Sequence, residues 1–553
     1  MNRTYTLYKA FGSNLEMPKP SGDRRKKLYS RFGMIAFVGI MVPVSVLVGF
    51  VSYILTDLLY QFDGSTYGLL SELHMISAFA MIFGLPLMFS VLYFSSDLRF
   101  LTALPISPLT LFTARFWHTY KAENVMTSNV LFAIYIGYFV AAVKHIGISA
   151  LHSIAVISAV FGFLGSLAIP LLYSAILGML LMLILKRFNR VSVYYHSSTA
   201  MFVIFALMFL ISFADYGKVS TENYIESLVN SRNLFVSICN YLFPTNRLTI
   251  MSIDNHAVWP LLISVVIFIA VYVIALKLAG SVYQEGLFAA ARLGGDRTKH
   301  KHGSVSKKLP TGQALFLKEA KVLMRTMTYR INCVYANLLW PIIAIAFLFS
   351  SDSYINVANF SSHLQDGAPR ARIFLFIGVA AMAFIASGIN SIASTSFTRE
   401  GVHIDLIKYI PVPLDRQIRA KAWIAILFTF IPEGIAVILI LVALRIYSLI
   451  PLMLLTSLAC IVIATMTGLI MDSVSPYTIW SDELSALRGN LNCFFNLAAE
   501  LIMMVVVGVV SYLLHSVMGG TAAIAVISVI LAATAVVIYY RGIRVVADNI
   551  DRY

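Results

Sequence analysis

Of 553 residues, 59% are hydrophobic and only 12% charged, and the mean hydropathy is +0.83; this excludes a water-soluble multidomain protein and describes a chain whose solvent is mostly lipid. The formal net charge of +15 fits membrane orientation and anionic headgroups, and nothing in its distribution suggests a nucleic-acid groove. Cys239, Cys333, Cys460 and Cys493 have no metal-ligand spacing and read as packing residues.

Residues 1–32 are polar and basic, with Arg24, Arg25, Lys26 and Lys27 shortly before the first apolar run. That run is span-length and has no small-residue cleavage site, which predicts an uncleaved start-transfer helix. Apolar runs at 33–56, 74–94, 126–143, 150–186, 198–214 and 258–279 predict six membrane helices, and runs at 332–350, 372–396, 422–444, 449–472, 497–515 and 520–540 predict six more. The run at 150–186 contains Gly165 and Pro170 and is longer than one crossing needs. Splitting it would invert every later loop and erase the Lys/Arg bias between the two sides, so it reads as one long helix, tilted or kinked. The same bias puts both termini on the cytoplasmic side and 215–258 outside. There the segment is either an ordinary loop or short gate-like helices around Phe243 and Pro244. The expected fold is therefore all-α and polytopic, about 12 transmembrane helices in two parallel six-helix repeats: 1–290, a flexible cytoplasmic linker at 291–315, and 316–553.

Two cytoplasmic stretches align without a gap: 99–117, RFLTALPISPLTLFTARFW, and 405–423, DLIKYIPVPLDRQIRAKAW. Pro105 pairs with Pro411, Ala114 with Ala420 and Trp117 with Trp423, and Leu104/Ile410, Ile106/Val412 and Arg115/Lys421 are conservative matches. Ser107 followed by Pro108 is an N-cap and first helical residue, so a short helix is expected to reach Trp117, with Leu109, Phe112 and Phe116 on one side. Pro413 and Asp415 start its counterpart, whose exposed face is expected to offer Arg416, Arg419 and Lys421. Such helices either lie in the interface as anchors or meet a partner, and duplication favours a partner met twice.

In these stretches, with FSSDL and FTREG ahead of them, in LFLKEAKVLMRTMTYRINCVYANLLWPI and in SPYTIWSDELSALRGNLN (475–492), the chain is similar to bacterial permeases of the type 2 ABC exporter class with both halves fused. The resemblance covers nearly the whole chain. It implies that the loop after the second helix of each half is a coupling helix docking on a cytoplasmic ABC ATPase, two copies per chain. By position the contacts are Leu104, Pro105, Ile106, Ser107 and Pro108 in one half, and Ile410, Pro411, Val412, Pro413 and Arg416 in the other. Two departures stand out: Pro413 replaces Ser107, and the segment around Lys26–Arg31 resembles the family less than Lys318–Arg330 does.

No GxxxxGK[ST] stretch occurs, and Gly217-Lys218 is followed by Val219, so no phosphate-cradling loop is expected here. The chain is expected to be a non-catalytic subunit without its own cofactor, ATP and Mg being bound by the partner. Glu433, beside Pro432 and deep in the ninth span, is the exceptional intramembrane acid. It is either a group on the translocation path, facing a cationic substrate or a hinge, or an interhelical hydrogen-bonding group; Thr127 at its repeat-equivalent position argues against a symmetric ion relay. Asp472 and Glu500, near span ends, are expected to reach headgroups. His74, His145 and His515 show no carboxylate or cysteine at ligand spacing, and the aromatic residues, including Trp340 and Tyr539, read as belt anchors. Three classes compete: the permease subunit of an exporter for an amphipathic or hydrophobic substrate (peptide, lipid-like molecule or drug), a 12-helix ion-coupled secondary transporter, and a polytopic enzyme. The last lacks a catalytic constellation.

Overall fold

Lipid offers backbone N–H and C=O groups no partner, so long apolar segments satisfy them internally as helices. The computed structural model describes residues 3–13, most of 41–60, 65–93, 101 and 104–185, isolated positions at 200–207, 234–295, 309–349, and 369–553 apart from 479, 481, 482 and 489. Among them there is no strand, nine helices are long and apolar enough to cross a membrane, and Val48–Tyr60 and Arg330–Ile345 are shorter apolar helices. The chain is a multi-pass helical membrane protein. Most of the span expected at 198–214, the first third of that at 33–56, the basic run Arg24–Lys27 and the middle of the linker lie outside the described residues. Two compact units are present, one chiefly Met41–Asp215 and Val219–His302, the other chiefly Gly303–Tyr553.

The first unit contains α1 (Arg3–Ser13), α2 (Val48–Tyr60), α3 (Ser65–Tyr93), α4 (Pro108–Ile146), α5 (Ser153–Leu185), α6 (Leu234–Leu242), α7 (Pro244–Asp254) and α8 (Trp259–Leu278). A π-helical turn, Ala279–Tyr283, carries α8 into α9 (Gln284–Gly295). Gly49 and Gly137 let α2 and α4 meet backbone to backbone, where a Cβ at Gly137 would collide with Gly49 O and one at Gly49 would crowd Ala133 O at 3.1 Å. The long run expected at 150–186 is not split: after a 3-10 turn at Gly147–Leu151, α5 runs unbroken over Ser153–Leu185 with Pro170 inside it. Proline has no N–H for the carbonyl four residues back, and the Ser77 hydroxyl of α3 donates to that carbonyl, Ser166 O, at 3.2 Å. Ser77 in turn accepts from the Asn246 amide of α7 at 2.9 Å.

Of the two readings of the segment around Phe243 the helical one holds: α6 and α7 form a hairpin buried against α3 and α5. Val236 packs near Leu69 and Leu73, Asn240 meets His74 at 3.0 Å, and Phe243 at the tip is buried with Ala78 and Ile169. The chain then returns until Asp254 accepts from Thr66 at 2.7 Å, beside the start of α3. At about 1.5 Å per residue the tip lies roughly 20 Å along α3, so the hairpin re-enters the span region without crossing it. His74, Asn246, Ser77 and Ser166 supply the polar partners such a buried hairpin needs.

The second unit contains α10 (Thr311–Arg325), a π turn Arg330–Tyr335, α11 (Ala336–Phe349), α12 (Pro369–Asn390), α13 (Leu406–Tyr409), α14 (Leu414–Ala443), α15 (Ile450–Val474), α16 (Glu483–Arg488), α17 (Leu491–Met518) and α18 (Gly520–Arg552). Lipid is as apolar as the side chains, so close packing and interhelical hydrogen bonds drive association here. Small buried residues, Ala459, Ala464, Ala523 and Ala535, bring α15 and α18 together, and Thr456 and Ser528 share a hydrogen bond of 2.8 Å between them. In α14 the Phe428 carbonyl loses its helical partner to Pro432, and Asn337 Nδ2 of α11 donates to it at 3.1 Å. Gly519 alone joins α17 to α18, at φ 84°.

Candidate functional site

The sequence pair at 104–108 and 410–414 has one local geometry. Ile106 N–H donates to Leu104 O at 2.8 Å, and Val412 N–H donates to Ile410 O at 2.7 Å. Each is a three-residue γ-turn centred on a proline, Pro105 or Pro411, and each is followed at the same offset by a helix, α4 from Pro108 and α14 from Leu414. Leu104 is 40% exposed and Ile410 36%, Pro105, Pro411, Ser107 and Pro413 are exposed, and Ile106, Pro108 and Val412 are half-buried. Ser107 caps α4, its hydroxyl accepting from Thr110 N–H at 3.2 Å, whereas Pro413 caps α14 with no side-chain bond. Arg416 is exposed in the first turn of α14.

Three expectations for these helices need correcting. Neither is a short interfacial helix: α4 runs 39 residues and α14 runs 30, each straight into a span. The polar stretch His118–Asn124 stays inside α4. Phe112 and Phe116 face inward, Phe112 onto Tyr283 and Phe116 onto Tyr272, so only Leu109 of that trio is exposed. Lys421 is 2% exposed; it is paired with Glu319 and Glu400 and donates to Ser396 O at 3.1 Å. Arg115, its sequence counterpart, is also buried and donates to Val91 O near the end of α3. Each buried cation thus ties its helix to the chain segment ahead of the turn.

Around the second turn the second unit builds a polar framework that the sequence does not announce. Glu400 Oε1 lies 2.7 Å from both Lys318 and Lys421, and Glu319 Oε1 lies 2.9 Å from Lys421, which joins α10, the 398–403 turn and α14. Burial alone would raise the Glu400 carboxyl, but Lys421 and Lys318 hold it at about 2. Asp472, expected at the headgroups, is 0% exposed at the end of α15. It accepts from Phe397 N–H at 2.6 Å, Thr398 N–H at 3.1 Å, Thr398 Oγ1 at 2.6 Å and Asn492 Nδ2 at 3.1 Å. Glu500 is likewise buried, bonded to Asn496. The segment 475–492 is thereby latched onto Phe397 and Thr398, and Trp480 Nε1 adds a bond to Thr398 O at 2.9 Å. Gly401, at φ 60°, passes under the Trp480 ring, where a Cβ would lie 3.0 Å from it.

This framework holds out an apolar surface beyond the span bounds: Val402, Leu406 and Tyr409, the last 81% exposed, precede Ile410. Sequence reasoning missed these three residues. Their spacing over FTREGVHIDLIKY resembled neither a strand nor a span, and their exposure follows only from the buried side that Phe397, Ile404 and Ile407 take. Glu433 is 0% exposed and accepts from Ser457 of α15, which places it between helices of one unit. His145, expected to lack a carboxylate partner, lies 2.7 Å from Asp57, and Lys144 lies 2.8 Å from the same carboxylate. Among the described residues no group of three or more His, Cys, Asp or Glu converges as a metal site. No family model, no curated protein and no solved structure matches this chain.

Proposed function

We propose that this chain is the membrane permease subunit of an ATP-driven exporter, in the type 2 ABC class its sequence resembles, with both termini in the cytoplasm of a bacterial plasma membrane. The observation that carries the reading is the pair of proline γ-turns, each with an exposed apolar residue at its tip and each leading without a break into a spanning helix. Two such turns at one sequence offset support a six-plus-six duplication. They offer a soluble ATPase pair two grips, and the sequence carries no GxxxxGK[ST] stretch of its own. Exposed large apolar side chains outside the bilayer mark protein contact, and Val402, Leu406 and Tyr409 widen the second grip. Continuous helices carry a displacement at the turn into the membrane as rigid-body motion. On this reading the α6–α7 hairpin enters from the outer face and gates a path for an amphipathic or hydrophobic substrate. The test is affinity purification from native membranes with Leu104→Asp and Ile410→Asp as the control. A Walker-type ATPase should co-purify with the native chain and be lost from the double variant; absence of any such ATPase, or its undiminished recovery with the variant, removes the reading.

A second reading, an ion-coupled transporter, draws on Glu433 and Glu500. Each is buried in a span, each keeps one carboxylate oxygen without a hydrogen-bond partner among the described residues, and neither has a cation in salt-bridge range there. Transport that survives ATP depletion but stops when the proton gradient collapses would favour it.

A further inference from the structure

Between α14, α15 and α18 the second unit has an apolar groove of about 320 Å³. Its floor is made of small side chains, Ala459 and Ala535 among them, and its exposed rim carries Trp423, Val536 and Tyr540. That volume holds about ten groups the size of a water molecule or methylene, in a wall that offers almost no hydrogen-bonding atoms. It therefore suits a length of hydrocarbon chain and not a polar solute.

Cations stand at one end of it. Arg419 is one helical turn from Trp423 on α14, and Arg544 is one turn from Tyr540 on α18, so each shares a face with its aromatic neighbour. Arg541 is exposed beside Tyr540. Arg419 acts electrostatically on the Tyr539 phenol, which lines the groove. None of the three arginines takes part in an ion pair among the described residues. The nearest acids on the two helices, Asp415 and Asp548, lie a further turn from the aromatic rim. Read along the helix axes, the order is hydrocarbon groove, aromatic rim, guanidinium groups, the same as acyl chain, interface and phosphate in a phospholipid leaflet.

We infer that this groove binds one anionic glycerophospholipid, an acyl chain lying on Ala459 and Ala535 between the three helices and the phosphate held by Arg419 and Arg544. The inference needs only the membrane reading and is independent of the ATPase partner. Trp423 supplies the probe, because bromine atoms on an acyl chain quench an indole they touch.

The full chain is reconstituted in nanodiscs of phosphatidylcholine doped with brominated phosphatidylglycerol or, separately, with brominated phosphatidylcholine. Emission is compared with that of Trp423→Phe, so that the difference reports Trp423 alone. Quenching by the anionic lipid should saturate at roughly tenfold lower mole fraction than quenching by the zwitterionic one, as two arginines at the headgroup level imply. Arg419→Gln with Arg544→Gln, both exposed positions, should remove that preference while leaving the helical circular dichroism unchanged. Equal quenching by the two lipids, or a preference that survives the double variant, overturns the inference. So does a Trp423 component unquenched by either lipid, whether because the groove is empty or because a second copy of the chain covers it; cross-linking separates those two cases.

Discussion

Asn337 and Pro432 act as a pair although they never bond: Asn337 Nδ2 donates at 3.1 Å to the Phe428 carbonyl that the proline leaves without a helical partner. Asn337 is itself held by Asn390, which also reaches Thr429 at 2.8 Å, so the proline turn of α14 is wired to α11 and α12. Replacing Asn337 by Leu strands that carbonyl in an apolar surrounding, at a cost of about 1–3 kcal/mol. Pro432→Ala restores an N–H for Phe428 O, so the double variant should regain most of the loss, a non-additivity visible in thermal unfolding in detergent. Additive losses would show that the two positions are independent.

Lys421 sits between two carboxylates in a site almost closed to water. Lys421→Met removes the buried cation and leaves Glu319 and Glu400 only the partly exposed Lys318, 3.4 and 2.7 Å away, and should cost about 3 kcal/mol. Adding Glu319→Gln and Glu400→Gln should recover a large part of it, since neutral amides cost less to bury than unpaired charges. Thermal midpoints of the single and triple variants measure this directly.

The same cluster gives the second unit an acid-sensitive joint. The Glu400 carboxyl lies at about 2, below its ordinary 4.5. A depressed folded-state value contributes stability that is complete above the unfolded value and is lost as pH falls through the folded one. Stability should therefore drop between about pH 4.5 and about pH 2, and Glu400→Gln should flatten that part of the profile while lowering stability at neutral pH. A profile identical in slope to the native one would count against the Lys318–Glu400–Lys421 arrangement.

Asp472→Ala removes the acceptor for the Phe397 and Thr398 amides and unties segment 475–492 from them. Hydrogen exchange at those two amides should accelerate by at least tenfold, the equivalent of about 1.4 kcal/mol, while amides in the middle of α18 keep their native rates. Asp472→Asn retains the shape but weakens the charge-assisted bonds, so its exchange rates should fall between the two.

The span pattern was legible because a bilayer demands long apolar runs, and the Ser107-Pro108 start of α4 was legible because helix N-termini have a local signature. Burial of polar groups was not. Lys421 looks like part of a solvated basic face until Glu319, 102 positions away, and Glu400, 21 positions away, converge on it. Asp472 looks like a span-end charge for the same reason, its acceptors' partners lying 74 and 75 positions upstream. Such pairings are properties of the packing, and one-dimensional periodicity carries no trace of them. Short helices at Phe243 were one of two readings its length left open, and their depth was not legible, because Asn240 and Asn246 give no sign in sequence that α3 will meet them.

The unbroken length of α4 has a mechanical meaning. Its 39 residues form a strut of about 58 Å, roughly twice the hydrocarbon thickness. Pivoting such a beam by about 5° swings one extremity by about 5 Å, close to one helical pitch. An engine gripping Leu104 would need only a small stroke to reposition side chains on the far leaflet.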